Sequence, residues 1–446
     1  MNNACLLISS WGLKRLFARG IAEIATFLES KGYPVRLLPL GFYLHSNQIK
    51  NKAELENKVT AILKEAIKDM KPKFVGVSNS FTADYPDCLK IIEICKKIKP
   101  DIVTIIGGPH VTFLDEACLR DSPFVDIVVR GEGEWTMTEL LYTINRKRDL
   151  SRVKGIAYRE NGNIIRTPPR PLGNLDEIPP VNFELFPEEL IKKAFIYGML
   201  NRGCMFNCSY CVERAFWIKR RSFKVRRLIS EMKQLENKYK NTIKAIDDSM
   251  LDMRSRQFFE LCHSLSKEKI AFPGYIQSHV NRISEEGIKA ISKAGIKRVY
   301  LGIESASPKV LRMMNKNITL RQVFSDCEKL KRKKISVGSF WIIGHPGDNP
   351  KEASYSLRIF HELFSRQLIQ EACIEIFVPL PGTRFYNQPK EFGIEILTYD
   401  WREWRRPYSR FNRPIHRLQD FSAEEITHFY RKSLNISYCH KTINSL

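Results

Sequence analysis

The first 150 residues alternate short apolar runs with amphipathic stretches of helical length, and this alternation constrains the fold more than any other feature. Runs such as "FVGVSN" and "DIVTIIGG" are short, rich in β-branched residues and bounded by Gly, Pro or Asp, as buried parallel strands are. Between them, "ELENKVTAILKEAIKDM" and "YPDCLKIIEICKKIK" have helical periodicity. The pattern predicts an α/β fold: a doubly wound, Rossmann-like parallel sheet over residues 1–150, with a ligand crevice at the carboxyl ends of its strands.

Three loops at that edge of the sheet carry residues suited to a ligand. Glycine lets a backbone approach a bound group closely, and hydroxyls and helix amino termini supply hydrogen bonds. The candidates are Ser78, Ser80 and Thr82 after the third strand, Gly107, Gly108 and His110 after the fourth, and Gly131, Glu132 and Gly133 after the fifth. Each loop is also consistent with a plain turn, and His110 with a histidine bonded to a neighbouring loop.

A second alternation begins after a connecting segment. Residues 151–194 contain a hairpin pattern, with Asn161-Gly162 at its turn, and then a proline-rich stretch without periodicity. Residues 195–388 contain six apolar runs separated by helix-length stretches, which predicts a partial (β/α)6 barrel with its site at the carboxyl ends of the strands. Residues 389–446 are left as a small carboxyl-terminal helical cap.

Three cysteines, Cys204, Cys208 and Cys211, follow the first barrel run in the stretch "CMFNCSYC". A structural zinc site closes with four protein ligands, and no histidine lies nearby in the sequence to complete one. Three thiolates at this spacing can instead hold three irons of a four-iron, four-sulfur cluster and leave the fourth iron open. The open iron can chelate the amino and carboxylate groups of S-adenosylmethionine, whose sulfonium the electron of the cluster then cleaves.

Composition limits the partners of this chain. Its 446 residues carry a formal net charge of +23, which attracts anions of many kinds without choosing among them. Basic runs such as "KLKRKK" are interleaved with apolar residues at helical spacing, so solvated helix faces are favoured over a nucleic-acid surface. No apolar run is long enough to span a bilayer, and the amino terminus lacks the order of a secretory signal, so we expect a cytoplasmic protein.

Over nearly its full length the chain resembles the radical S-adenosylmethionine enzymes with an amino-terminal cobalamin-binding domain, the group that contains the class B radical methylases. Beside the cysteines, the stretches "GGPHVTF", "VVRGEGEWTMTELL" and "YLGIESASPKVLRMMNK" carry the resemblance. It implies a [4Fe-4S] cluster, S-adenosylmethionine, cobalamin bound at the nine loop residues above, and an electron donor of flavodoxin or ferredoxin type. It implies S-adenosylmethionine contacts at Tyr210, Asp247, Asp248, Ser278, Glu304, Ser305, Ile343 and Gly344, with a weaker match at His279. Asp247 and Asp248 are also consistent with a helix cap.

The resemblance implies methylation of an unactivated carbon in a small metabolite or natural-product intermediate. One molecule of S-adenosylmethionine would supply the methyl group through cobalamin, and a second would yield a 5′-deoxyadenosyl radical that takes hydrogen from the substrate. The chain lacks the cobalamin motif D-x-H-x-x-G, as class B enzymes generally do. Two alternatives stay open: cyclisation, dehydration or rearrangement on the same scaffold, and RNA modification, which only the charge favours.

The stretch "DWREWRRPYSRFNR" mixes tryptophans with arginines near the carboxyl terminus. Arg405 and Arg406 are candidates for binding an anionic group of the substrate through guanidinium contacts. The alternative is a segment that covers the barrel, with its arginines paired to surface carboxylates.

Overall fold

The computed structural model describes residues 4–10, 17–44, 49, 51–404 and 413–436, and at residues 247–249 it describes the strand alone. The chain forms two compact units, Met1–Phe195 and Ile196–Leu446. Among the described helices, none has the length and apolar content needed to cross a membrane.

The described part of the amino-terminal unit contains a seven-stranded sheet in the order β2-β1-β3-β4-β5-β6-β7. Neighbouring strands from β1 to β5 are parallel, which confirms the predicted doubly wound arrangement. The strands are β1 Cys5–Ser9, β2 Val35–Pro39, β3 Phe74–Ser78, β4 Val103–Gly107, β5 Ile127–Val129, β6 Ile156–Glu160 and β7 Asn163–Arg166. The helices are α1 Arg19–Ser30, α2 Leu40–Tyr43, α3 Lys52–Met70, α4 Tyr85–Ile98, α5 Pro109–Phe113, α6 Asp115–Asp121, α7 Gly133–Asn145 and α8 Glu188–Lys193.

The hairpin formed by β6 and β7 belongs to this sheet. β6 pairs antiparallel with β5, with Ile127 opposite Tyr158 and Val129 opposite Ile156. Arg130, which follows β5, forms an ion pair with Asp115 at 3.2 Å and also bonds to the carbonyl of Thr167 beyond β7. The compact amino-terminal unit therefore includes the hairpin and the segment that follows it, up to Phe195.

The carboxyl-terminal unit is built on a six-stranded parallel sheet in the order β15-β14-β13-β12-β11-β8, as the sequence predicted for the partial barrel. The strands of this unit are β8 Tyr197–Gly198, β9 Asn201–Arg202, β10 Arg221–Ser222, β11 Ala245–Leu251, β12 Tyr275–His279, β13 Arg298–Glu304, β14 Ser336–Ile343, β15 Glu371–Ile376, β16 Ile394–Ile396 and β17 His416–Leu418. Its helices are α9 Glu213–Trp217, α10 Val225–Tyr239, α11 Arg256–Lys267, α12 Glu285–Lys293, α13 Pro308–Met313, α14 Leu320–Arg332, α15 Pro350–Ser365, α16 Arg384–Asn387 and α17 Ala423–Ile436.

Polar side chains fix where the barrel helices begin. Each accepts a hydrogen bond from a backbone N–H in the first turn of its helix, which satisfies a donor that has no partner inside the helix. These caps are Ser255, Ser284, Ser307, Thr319 and Asn349. Ser255, Ser284, Ser307 and Asn349 each follow the end of a strand by three to six residues, so four loops at the carboxyl edge of the sheet are held at both ends, whereas Thr319 follows α13.

Candidate active site

The three cysteines lie on the loop between β9 and α9, and a glycine directs this loop away from the strand. Gly203 has a φ of +80°, a conformation that side chains disfavour. A Cβ atom there would lie 3.0 Å from the carbonyl oxygen of Lys219 and 3.0 Å from the Cβ of Trp217. Glycine is therefore required immediately before Cys204.

The residues that follow α13 hold the middle of the cysteine loop. The backbone N–H of Ser209 donates to the carbonyl of Met314 at 2.9 Å, and its hydroxyl donates to the carbonyl of Met313 at 2.7 Å. The side-chain amide of Asn315 donates to the carbonyl of Asn207 at 2.7 Å. Three bonds to the end of α13 thus position the loop from Asn207 to Ser209.

The thiols of Cys204, Cys208 and Cys211 are partly exposed and close enough to act on one another electrostatically. Burial is the main cause that raises the pKa values of Cys208 and Cys211, and the ammonium of Lys316 opposes the shift at Cys208. In the ranges that the structure describes, no three His, Cys, Asp or Glu side chains could hold a single metal ion. An iron–sulfur cluster takes each thiolate on a different iron, so its ligands stand apart. Three cysteines on one short loop match the ligands that such a cluster takes from the protein.

Beside this loop lies a buried ion pair between Glu304 and Lys316. The Oε1 atom of Glu304 is 2.8 Å from the Nζ of Lys316, and the two side chains are 6% and 1% exposed. Glu304 ends β13 with a φ of +64°, which is unusual for a residue with a side chain. A Cβ atom on Gly302 would lie 2.6 Å from both charged atoms, so this glycine makes room for the pair.

Tyr210, which lies between Cys208 and Cys211, is close to the same carboxylate. Desolvation, followed by the negative charge of Glu304, raises the pKa of Tyr210 well above its usual value. The structure thus brings together two residues that the sequence singled out, Tyr210 and Glu304. It adds Lys316, which sequence reasoning missed although this lysine closes the quoted stretch "VLRMMNK".

Two serines expected to contact S-adenosylmethionine have partners within the protein. Ser278 is fully buried, and its hydroxyl donates to the carbonyl of Leu251 on β11 at 2.9 Å. The hydroxyl of Ser305 lies 3.1 Å from that of Ser356 and accepts from the backbone N–H of Ser307 at 3.1 Å. Both side chains therefore stabilise the strand ends, and their contact with a ligand stays a prediction.

His279, which follows Ser278, presents a buried donor beside the cysteine loop. Its Nδ1 accepts from the backbone N–H of Asn281 at 3.1 Å, so the proton of the neutral ring is on Nε2. Burial, with smaller contributions from Lys316 and Arg282, lowers the pKa of His279 to about 3. Nε2 has no hydrogen-bond partner among the described residues. An orphaned donor at this point is an observation that favours a bound acceptor.

Ile343 and Gly344, at the end of β14, have backbone groups that already bond within the protein. The carbonyl of Ile343 accepts from the N–H of Phe377 at 2.8 Å. The N–H of Gly344 donates to Asp348 at 3.0 Å, and its carbonyl lies 2.8 Å from the Nε2 of His416. We therefore expect these two residues to contact an adenine through van der Waals packing and not through hydrogen bonds.

In the amino-terminal unit, the loop after β3 packs against the loop after β4. The N–H of Asn79 donates to the carbonyl of Gly107 at 2.8 Å, and a Cβ on Gly108 would lie 2.1 Å from the carbonyl oxygen of Asn79. Gly108 has a φ of +133°, so this glycine is required by the protein backbone itself. The hydroxyls of Ser78 and Ser80 lie 3.4 Å apart and are partly exposed, whereas Thr82 is nearly buried.

The loop after β5 contains glycines with different surroundings. A Cβ on Gly131 would meet no atom within 4 Å, so open space lies beside it, and its N–H donates to the hydroxyl of Thr112 at 3.0 Å. A Cβ on Gly133 would lie 2.5 Å from Ile24 of α1, which gives this glycine a packing role. Glu132 is partly exposed, and His110 is buried with its ring 4.6 Å from that of Tyr85. This edge of the sheet therefore offers partly exposed hydroxyls and an uncrowded backbone at Gly131, both of which can face a ligand.

Four other candidates cannot be placed. The side chains of Asp247 and Asp248 are outside the described part of β11, and Arg405 and Arg406 lie in the gap between residues 404 and 413. Their roles stay predictions.

Two family models match this chain, one in each of its two compact units. A B12-binding domain model matches residues 14–141, and the radical SAM superfamily model, named for S-adenosylmethionine, matches residues 199–358. The segment that contains β16, β17 and α17 lies beyond both matches.

Three similar proteins cover most of the chain. An uncharacterized methyltransferase of Pyrococcus horikoshii is 32% identical over 411 residues, which are 89% of this chain and 86% of that protein. The anaerobic magnesium-protoporphyrin IX monomethyl ester cyclase of Rubrivivax gelatinosus is 30% identical over 353 residues. These residues are 77% of this chain and 62% of the cyclase. The solved structure of the methyltransferase TsrM from Kitasatospora setae, with cobalamin and a [4Fe-4S] cluster bound, has a TM-score of 0.73 at 17% identity, covering 96% of this chain and 84% of TsrM.

Proposed function

This chain belongs to the radical S-adenosylmethionine enzymes that carry an amino-terminal B12-binding domain, and from this premise we propose that it methylates a carbon atom of a small substrate. The observation that carries the proposal is the occurrence, in one chain, of an open three-cysteine loop and a B12-binding sheet. Bound cofactors of these kinds supply the electron that cleaves S-adenosylmethionine and the carrier of the methyl group, while the protein binds, orients and excludes water.

Cys204, Cys208 and Cys211 would hold the cluster, because three thiols and no fourth protein ligand leave one iron open. The buried pair of Glu304 and Lys316 supports binding of S-adenosylmethionine next to that iron. Lys316 opposes the rise in the pKa of the Cys208 thiol, so its ammonium lies near the cysteine loop and would bind the carboxylate of S-adenosylmethionine there. Glu304 would then accept hydrogen bonds from hydroxyl or amino groups of the same molecule.

The carboxyl edge of the amino-terminal sheet would hold cobalamin. Ser78 and Ser80 supply partly exposed hydroxyls, and no atom lies within 4 Å of where a Cβ on Gly131 would be, so a ligand could approach the backbone there. An external one-electron donor of flavodoxin or ferredoxin type would reduce the cluster. The substrate would be a small metabolite or natural-product intermediate, and an anionic group on it is favoured only by Arg405 and Arg406.

The test uses S-adenosylmethionine with an isotope-labelled methyl group. Reconstituted protein, cobalamin and a low-potential reductant are incubated with a small-molecule extract, and labelled products are sought by mass spectrometry. A methylase should transfer the label and release S-adenosylhomocysteine and 5′-deoxyadenosine in comparable amounts. Release of 5′-deoxyadenosine alone, with unlabelled product, would exclude methyl transfer.

The second candidate is a ring-forming reaction on the same scaffold. It is favoured by the 30% identity to the cyclase of Rubrivivax gelatinosus. The same experiment separates the two, because cyclisation consumes S-adenosylmethionine without forming S-adenosylhomocysteine. The cluster and the barrel residues would keep their roles in either case.

A further inference from the structure

The turn that follows β14 is held by a segment outside both matched families. Gly344 has a φ of +79°, and a Cβ there would lie 3.1 Å from two carbon atoms of Ile426 on α17. Its carbonyl oxygen lies 2.8 Å from the Nε2 of His416, which begins β17. The carboxyl-terminal strand and helix therefore fix the conformation of a residue that ends a barrel strand.

His416 donates the hydrogen bond in this contact. A carbonyl oxygen only accepts, so the proton of the ring is on Nε2. The ring is fully buried, and this burial lowers the pKa of His416 to about 4, so the ring is neutral at physiological pH. The Nε2 donor is therefore present in the neutral ring at physiological pH.

A second histidine extends the contact to the cysteine loop. His345 is fully buried, and its Nδ1 lies 2.8 Å from the carbonyl of Pro346. Its ring meets the ring of Tyr210 edge-on, with centroids 6.0 Å apart. Both histidine rings also contact Phe377, at 4.9 Å and 5.3 Å. A continuous line of packed groups thus runs from β17 through the turn to the loop that carries the cysteines.

We propose that His416 is a positioning residue for S-adenosylmethionine, which it serves by holding the Gly344–His345 turn against which the adenine packs. This inference rests on the proposed function, because it takes the end of β14 as the adenine side of the site. It makes the segment from β16 to α17 part of the S-adenosylmethionine site. Without the Nε2 donor, the Gly344 carbonyl would lose its buried partner and the turn would relax away from the adenine.

Substitution by glutamine or asparagine tests the proposal, because each amide nitrogen can take the place of one of the two imidazole nitrogens. In His416→Gln the amide nitrogen can reach the place of Nε2, whereas in His416→Asn it reaches only the place of Nδ1. We expect the Kd for S-adenosylmethionine to rise about fivefold in His416→Asn and His416→Phe and to stay near the wild-type value in His416→Gln. The Kd is measured by equilibrium dialysis on reconstituted protein without reductant, so no turnover is needed.

Iron content, cobalamin retention and the midpoint of thermal unfolding are measured on the same samples. His428→Phe, an exposed histidine on α17, is the matched control and should change none of these quantities. An equal Kd in the Gln, Asn and Phe variants would overturn the proposal, as would equal losses of iron and affinity in all three. If the wild type binds S-adenosylmethionine but transfers no methyl group, the proposed methylation fails while the role of His416 remains testable by binding.

Discussion

The imidazole of His279 stacks on the ring of Phe206, with ring centroids 3.7 Å apart and planes inclined by 15°. Phe206 lies between the first two cysteines, and the guanidinium of Arg282 lies 5.7 Å from the centre of the same ring. The end of β12 therefore packs directly on the loop that carries the cysteines, and it brings the orphaned Nε2 donor of His279 to that loop.

We expect this donor to hydrogen-bond to a sulfur of the bound cluster. Hydrogen bonds to sulfur stabilise the more negative, reduced cluster and raise its reduction potential. His279→Phe keeps the stacked ring and removes the donor, so the cluster potential should shift to a more negative value. The shift is measured by redox titration followed by electron paramagnetic resonance.

Phe206→Leu is the control for that experiment, because it removes the stack and keeps the donor. Its effect on the potential should be smaller than that of His279→Phe. An unchanged potential in His279→Phe would show that the donor serves another acceptor.

Replacing Cys204, Cys208 and Cys211 together by alanine should abolish cluster binding. The wild type should take up about four irons and four sulfides per chain on anaerobic reconstitution, whereas the triple variant should take up almost none. Cys262→Ala, a buried cysteine on α11, should keep the full content. Iron and sulfide assays provide the measurement, and a full cluster in the triple variant would contradict the assignment.

A double-mutant cycle should show a large coupling energy between Glu304 and Lys316 in the free energy of unfolding. Lys316→Met leaves a buried carboxylate without its cation and should lower that free energy by about 3 kcal/mol. Glu304→Gln combined with Lys316→Met should cost less than the sum of the single changes. Chemical denaturation of the cofactor-free protein gives the four values of the cycle.

The exposed pair of Arg417 and Glu395, 2.8 Å apart, is the matched control. Its coupling should be under about 1 kcal/mol because solvent screens both charges. A coupling for Glu304 and Lys316 no larger than this would mean that solvent reaches the pair.

Asp348 should make stability depend on pH. Desolvation raises the pKa of Asp348 from 3.8 to about 7. Hydrogen bonds from the backbone N–H groups of Gly344 and Asn349 oppose this rise. The charge of Glu352 adds to the rise, and that of Lys309 opposes it. A raised pKa in the folded state contributes stability that is present below the unfolded pKa and is lost as pH rises through about 7. The unfolding free energy of the wild type minus that of Asp348→Asn should therefore fall between pH 5 and pH 7, by about 1 kcal/mol per pH unit. A flat difference in denaturation experiments across this range would mean that Asp348 ionises normally.

Local sequence was sufficient to predict the two sheets and the cysteine loop. Buried parallel strands are apolar on both faces, so runs such as Phe74–Ser78 stand out from the helices around them. Asn161-Gly162 marks the turn of the hairpin of β6 and β7, but the pairing of this hairpin with β5 depends on a register that only the folded chain specifies. The sequence therefore predicts the hairpin but not its place in the sheet.

Side-chain partners were the part that sequence could not supply. The hydroxyl of Ser278 is taken by Leu251, which is 27 residues earlier in the chain, and no local pattern signals that bond. Lys316 contacts Glu304 because α13, which lies between them in the chain, returns the backbone to the end of β13. The ion pair therefore cannot be predicted without the orientation of this helix. The sequence also gives no sign that a Cβ on Gly133 would meet Ile24, and the contact of this glycine with a ligand stays a prediction.

The pairing of β6 with β5 has a practical consequence for anyone who wishes to express the B12-binding unit separately. A fragment that stops at residue 150 would leave β5 as an open edge strand, with the backbone N–H and C=O groups that face β6 unpaired. Such edges recruit strands from other molecules and lead to aggregation. A fragment that continues to Phe195 keeps β6 and β7 beside this edge and corresponds to the whole compact unit.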